Sequence, residues 1–121
     1  MKIENIKFKA KRLDGKGWAI GDLLHSYENG AIIVPIEGGG AFSVDPSTVC
    51  MFTGLTDYKG NEIWEGDIAE CEIYDPYKGF IKVKAIIEYM YGAFIAIIDG
   101  MPYSLYFKYI KVIGNKFDNE N

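Results

Sequence analysis

The sequence predicts an all-β protein, mainly antiparallel and built from short strands, with an N-terminal β lobe followed by a small β-barrel. Three observations carry this. Fourteen glycines among 121 residues supply the tight turns that short strands need. Nine tyrosines and seven phenylalanines favour pleated, half-buried surfaces. Apolar and polar residues also alternate with a period of two, most clearly in Ile6-Lys7-Phe8-Lys9-Ala10-Lys11. A chain of this length buries about two-thirds of its unfolded surface, enough for a core without a disulfide or metal.

In that first run Ile6, Phe8 and Ala10 point inward and the lysines face water. Asp14-Gly15 marks a hairpin, and Trp18-Ala19-Ile20 returns from it. Residues 22–30 are ambiguous: Asp22-Leu23-Leu24-His25 fits one helical turn, and Glu28-Asn29-Gly30 is a turn. Ala31-Ile32-Ile33-Val34 reads as a buried strand. Pro35 marks its edge or its end, and as an edge it offers a pairing surface for a homo-oligomer. Gly38-Gly39-Gly40 leads into a strand over residues 41–44, and Asp45-Pro46-Ser47 opens a turn or a single helical turn.

Residues 52–70 are the most punctuated stretch. Thr53-Gly54 and Glu65-Gly66-Asp67 read as turns in which glycine takes positive φ. Asp57 to Gly60 has the Asp-first, Gly-last pattern of a type I turn. Leu55, Ile63 and Ile68 act as apolar pins, so the stretch reads as a joint and not as a reaction site. Beyond it, residues 68–74 and 80–88 flank Asp75-Pro76-Tyr77-Lys78-Gly79. Folding the chain about Tyr77 sets Glu72 against Lys82 and Glu70 against Lys84 on one face, with Ile73 against Ile81 and Cys71 against Val83 on the other. Charged and apolar pairs fall into register together, which fixes the hairpin. Strands follow over residues 93–98, 103–107 and 110–114, with a turn at Asp99-Gly100-Met101-Pro102. Five short strands after residue 67 predict a small antiparallel barrel of the Src-homology-3-like kind. The expected organisation is a lobe over residues 1–52, a barrel over 53–115, and a polar tail over 116–121 that frays.

The chain carries a net charge of −4, but residues 1–16 hold six basic and two acidic groups, while the rest hold seven basic and fifteen acidic ones. The acidic body, at −8, argues against non-specific nucleic-acid binding as the main activity. No apolar run reaches the about 18 residues of a membrane span, and Met1-Lys2-Ile3-Glu4 lacks the apolar core of a signal peptide. Cys50 and Cys71, without a CxxC or a nearby histidine, read as reduced, buried thiols of a cytoplasmic protein.

Catalytic chemistry is sparse. His25 is the sole histidine, with no nucleophile beside it in sequence, and one histidine with two distant cysteines does not make a metal site. Gly15-Lys16-Gly17-Trp18-Ala19-Ile20-Gly21 places its third glycine one position late for a dinucleotide fingerprint. Asp57-Tyr58-Lys59-Gly60-Asn61-Glu62 has a lysine where a calcium loop needs an oxygen. Among the carboxylates Glu62, Glu65, Asp67, Glu70 and Glu72, the hairpin assigns the last two to lysines, and Asp67 is expected to accept backbone N–H bonds at the Gly66 turn. The better candidates are turn-flanking aromatics, Trp18, Tyr58, Trp64 and Tyr77, as residues that anchor a partner.

Three blocks stand together in the chain: Phe8-Lys9-Ala10-Lys11-Arg12-Leu13-Asp14 with Trp18 and Gly21; Phe52-Thr53-Gly54-Leu55, Asp57, Gly60 and Glu62-Ile63-Trp64-Glu65-Gly66-Asp67-Ile68; and Ile110-Lys111-Val112-Ile113-Gly114-Asn115 with Phe117, Asp118 and Asn119. Through these blocks the chain resembles the YopX family of small proteins encoded by bacteriophages and prophages. Met51 and Lys116 depart from the residue types usual there. The resemblance implies an all-β fold with a barrel-like C-terminal half, a phage or prophage origin and a place in the cytoplasm of the bacterial host; it supplies no reaction and no catalytic residues.

Three functions compete. The leading one is a non-enzymatic accessory protein that binds a host or phage macromolecule, most readily a protein, with no cofactor. The second is a nucleotide or nucleic-acid binder, which requires the basic N-terminal strand and Trp18 to share a surface. The third is a small carboxylate-dependent hydrolase, which requires two carboxylates to converge.

Overall fold

The computed structural model describes residues 1–118; residues 119–121, the end of the expected fraying tail and the last residue of the third block, lie outside the described residues. The chain is all-β, and its strands form two antiparallel sheets. Met1–Phe52 forms one compact unit, and residues 53–118 belong to a second. Among the described residues no helix is long and apolar enough to cross a membrane.

The first unit is organised around β1 (Phe8–Lys11). Its hairpin partner β2 (Trp18–His25) pairs with β3 (Ala31–Val34), which pairs with β4 (Phe42–Val44). The other side of β1 meets the start of β5 (Cys50–Thr56), with Phe8 opposite Met51 and Lys9 opposite Cys50. Further along that side, Arg12 bridges to Val44, Leu13 N donates to Ser43 O at 3.0 Å, and Asp45 N donates to Lys11 O at 2.8 Å. The order β1-β2-β3-β4 therefore returns to β1. Between these two contacts lies a 3-10 turn, Pro46–Thr48, capped by Asp45, whose carboxylate accepts Ser47 N at 3.0 Å. The buried Thr48 hydroxyl accepts Lys11 N and donates to Asp45 O, both at 2.8 Å. Ala10 and Ala19 face each other in the core, leaving volume for Ile33 and Val44. Gly21 is needed because a Cβ there would collide with the Val34 carbonyl.

Two expectations are corrected in this unit. Asp22–His25 continues β2 and is not a helical turn, because Leu23 opposite Ile33 and Leu24 opposite Ile32 give the segment cross-strand partners that a single turn lacks. Ala31–Val34 is not an edge: β2 and β4 flank it, so its backbone is not offered to a second subunit.

The second unit contains β6 (Glu62–Trp64), β7 (Asp67–Asp75), β8 (Gly79–Met90), β9 (Ala93–Ile98), β10 (Met101–Ser104) and β11 (Ile110–Asn115). Five of them form an antiparallel sheet in the order β10-β9-β8-β7-β11. The β7–β8 hairpin has the register read from the sequence, running from Ile68 opposite Ile86 to Asp75 opposite Gly79. Ile63, Ala69, Cys71, Ala85, Ile87, Ala96, Ile98 and Ile110 make the core on one face. Both cysteines are buried thiols outside any disulfide, and burial, with Glu70 adding, pushes the Cys71 thiol up to about 11.

Four further expectations change here. Thr53-Gly54 is a bend inside β5 and not a turn: Gly54 has φ +84°, and the Thr53 hydroxyl takes over backbone roles by donating to Ile63 O at 2.7 Å and accepting Leu55 N at 3.1 Å. Leu55 is 45% exposed and pins nothing. Pro102 lies in β10, opposite Ile97, and not in the turn, which is the two-residue pair Asp99-Gly100 with φ +50° and +77°. Residues 116–118 do not fray: Lys116 N donates to Gly66 O at 2.9 Å, and Phe117 N donates to the Asn115 side-chain oxygen at 2.9 Å.

Within the joint read at residues 52–70, two buried carboxylates, Asp57 and Asp67, organise the backbone. The type I turn is present, with Gly60 N donating to Asp57 O at 3.0 Å. The Asp57 carboxylate accepts Asn61 N at 2.8 Å, Lys59 N at 3.0 Å and, from β11, Val112 N at 3.0 Å. Asp67, 2% exposed, accepts Trp64 N at 2.8 Å and the Asn115 side-chain amide at 3.0 Å. Gly66, with φ +84°, donates its N–H to Ile87 O at 2.6 Å.

Replacing Gly66 by valine puts a β-branched side chain at positive φ, a strain of about 1–3 kcal/mol, and disturbs its bonds to Ile87 on β8 and to Lys116. General loss of folding is expected in circular dichroism melts; a folded variant lacking only a binding activity would contradict the joint. For Asp57, burial opposes ionisation, but the N–H groups of Val112 and Asn61, the Asn61 side chain and Lys59 N outweigh it and hold the carboxyl below its ordinary 3.8. A depressed folded pKa gives stability that is present above pH 3.8 and lost as pH falls through the lower folded value. Asp57→Ala is expected to cost about 1–3 kcal/mol in urea melts at neutral pH and to flatten the acid limb of stability against pH.

Candidate functional site

The four aromatics chosen from the sequence do not form one cluster. Trp18, at the start of β2, is half-buried, with the Lys9 and Lys11 ammonium groups 4.5 and 4.8 Å from its ring centroid. Lys7 lies 4.8 Å over Phe52. The basic strand and Trp18 thus share a face, but the lysines rest on rings and do not simply stand in water. Trp64 is only 5% exposed, which corrects its reading as an exposed anchor: the tight Glu65-Gly66 corner folds β6 so that both Ile63 and Trp64 are buried. Tyr58 and Tyr77 are exposed, at 52% and 96%.

Strand alternation sorts β7 and β8 into two faces. Ala69, Cys71, Ala85 and Ile87 take the core face. The outer face carries Glu70 opposite Lys84, Glu72 opposite Lys82, and Tyr74 opposite Phe80. Tyr74 and Phe80 are 65% and 71% exposed, and their rings meet edge to face at 5.4 Å. At the tip the Asp75 carboxylate accepts Tyr77 N at 2.8 Å and Lys78 N at 3.0 Å, and Tyr77 projects from that turn. On the β11 side, Lys111 lies opposite Glu70. Just before β11, Tyr109 donates its hydroxyl to Glu70 Oε1 at 2.8 Å. The Tyr109 ring lies 5.0 Å from that of Tyr58, and the Lys82 ammonium 4.8 Å above it. The outer face therefore runs from Tyr58 and Tyr109 across Glu70, Glu72 and Lys82 to Tyr74, Phe80 and the tip.

The expected ion pairs shift by one row: the contact formed is diagonal, Lys82 to Glu70 at 4.0 Å. The acidic group is also divided, because Asp67 points to the core face while Glu70 and Glu72 point outward. His25 is exposed at the end of β2. The Tyr109 phenol is pushed up to about 12, first by its hydrogen bond to Glu70, then by burial and the charge of the same carboxylate.

Tyr74, Phe80 and Tyr109 were not among the sequence-chosen residues. The signal for the first two was present, since the register that pairs Glu72 with Lys82 also pairs Tyr74 with Phe80. Tyr109 had no such signal, because its partners Tyr58 and Glu70 are distant in sequence. A family model described as YopX protein matches residues 7–121. The chain belongs to the YopX family. Among curated proteins none matches it. In this YopX chain the middle block of the resemblance supplies the joint, through Asp57, Gly66 and Asp67. The exposed rings of the YopX outer face lie mostly outside the blocks.

Because the folded Tyr109 pKa lies above the ordinary 10, stability from its bond to Glu70 is present below pH 10 and lost as pH rises through about 12. In a tyrosinate absorbance titration, Tyr109→Phe is expected to remove the step near 12, and Glu70→Gln to move it toward 10. Unchanged titrations in both variants would disprove the contact.

Proposed function

We propose that this YopX protein is a non-enzymatic binding module, a phage or prophage accessory factor that acts in the bacterial cytoplasm on a host or phage macromolecule. One observation carries the reading: Tyr74, Tyr77 and Phe80, at 65%, 96% and 71% exposure, crowd one end of a single hairpin. Large rings held outward on a rigid strand pair are costly to leave in water, and such residues dominate the energy of binding interfaces. Tyr74 and Phe80 are also preorganised, since register and not loop conformation places their rings. The proposal includes the second sheet curling in the manner of a small Src-homology-3-like barrel. Its five strands, the twelve-residue β8 and a register shift in β11 between Val112 and Gly114 support this.

The test is affinity capture from infected-cell lysate, with retained proteins identified by mass spectrometry and retained nucleic acid by extraction. A species held by the wild type is expected to be lost with the double variant Tyr74→Ala, Phe80→Ala, whose melting temperature stays close to wild type because both side chains are exposed. Identical retained sets would contradict the reading.

A further inference from the structure

The outer face of the second sheet differs in charge from the rest of its unit. Lys82, Lys84 and Lys111 share it with the rings. Lys59 stands beside Tyr58, and Lys78 follows Tyr77 in the tip. Against these five cations stand Glu70, Glu72 and Asp75, a net of +2; further along the same face of β8, Glu88 is offset by Lys116, 3.5 Å away. The remainder of residues 53–118 holds one lysine and six carboxylates, a net of −5. The other carboxylates of the face are mostly engaged as well: Glu70 accepts the Tyr109 phenol and meets Lys82, and Asp75 accepts the N–H groups of its own turn. The rings come in two sets, Tyr74 with Phe80 and Tyr58 with Tyr109. Tyr109 adjoins the Glu72 row, since Glu72 N donates to Tyr109 O at 3.4 Å, and successive rows on one face lie about 6.8 Å apart. The two sets are thus about one row apart along the strands.

A cationic sheet face with repeated exposed rings matches a flexible polyanion whose units carry flat rings of their own. We propose that this face binds single-stranded nucleic acid without sequence selectivity, stacking bases on Phe80, Tyr74 and Tyr58 while Lys82, Lys84 and Lys111 neutralise phosphates. The inference rests on the binding-module reading above and names its partner. A duplex is a poor fit, because it keeps its base faces stacked inside, away from the rings. The acidic remainder of the unit repels the same polyanion and so favours docking at this face.

The test is fluorescence anisotropy with a labelled oligothymidylate, its duplex with oligoadenylate, and unlabelled polyglutamate as competitor. The wild type is expected to bind the single strand in preference to the duplex, with affinity falling as salt rises. Phe80→Ala and Tyr74→Ala are each expected to weaken binding roughly ten- to a hundredfold. Lys84→Gln is expected to reduce the salt slope by about 0.7. Absence of binding at low salt overturns the inference. So does competition by polyglutamate as effective as that of unlabelled oligothymidylate, with ring variants that bind like wild type, since that is charge alone. If oligothymidylate fails while the Tyr74 and Phe80 double variant still loses a captured species, the nucleic-acid inference falls and the binding module stands; if both fail, both readings fall.

Discussion

The second sheet depends on one corner, where Glu65-Gly66 turns the chain from β6 into β7. Gly66 bonds to Ile87 on β8 and to Lys116 beyond β11, while Asp67 ties Trp64 to Asn115 at the end of β11. Four strands thus have their relative positions set within a few residues. The outer face inherits its order from this, because a slip of one residue between β7 and β8 would carry Glu70, Glu72 and Tyr74 into the core and bring Cys71 and Ile73 into water. Buried carboxylates are well suited to such a corner, since each accepts several N–H donors, and none of those donors can be left unsatisfied inside without a penalty of about 1–3 kcal/mol.

A sheet offers partners its faces or its edges, and here the edges are guarded. On β11 the outward groups are already taken, with Tyr58 N donating to Ile110 O and Asp57 accepting Val112 N. On β10 the guard is Pro102. In a two-residue hairpin the residues flanking the turn exchange hydrogen bonds and the next pair does not, so Pro102 directs its nitrogen away from β9 and removes a donor from the open edge. The exposed rings lie instead on the outer face.

Much of this was legible in the sequence where the information was local. The β7–β8 register followed from charge and apolar pairs that matched at once, and the same number rule contained Tyr74 opposite Phe80. The Asp57 turn and the Asp45 cap followed from side chains that bond their own neighbours. Legibility failed where distant chain decides. Asp22–His25 is extended only because β3 lies beside it, and Gly54 sits in a strand because the Thr53 hydroxyl substitutes for a ladder bond. Trp64 shows the limit of reading aromatics by their turns, since a corner can fold such a residue inward as readily as it displays it. The candidate face was half visible: Tyr58 and Tyr77 were chosen, and the residues that join them were not.

The arrangement around β1 also governs the order in which the first unit matures during synthesis. β2 reaches β1 through a short hairpin, but the other side of β1 is completed by residues 43–52. Until those residues leave the ribosome, Phe8 and Ala10 sit on a strand with one open side, and the ring β1-β2-β3-β4 has nothing to close on. Such sequence-distant pairing slows folding, because chain entropy must be surrendered before the contacts reward it. Through that interval the strand keeps one open side, and Lys7, Lys9 and Lys11, interleaved along it, set charge where another copy of the chain would otherwise pair.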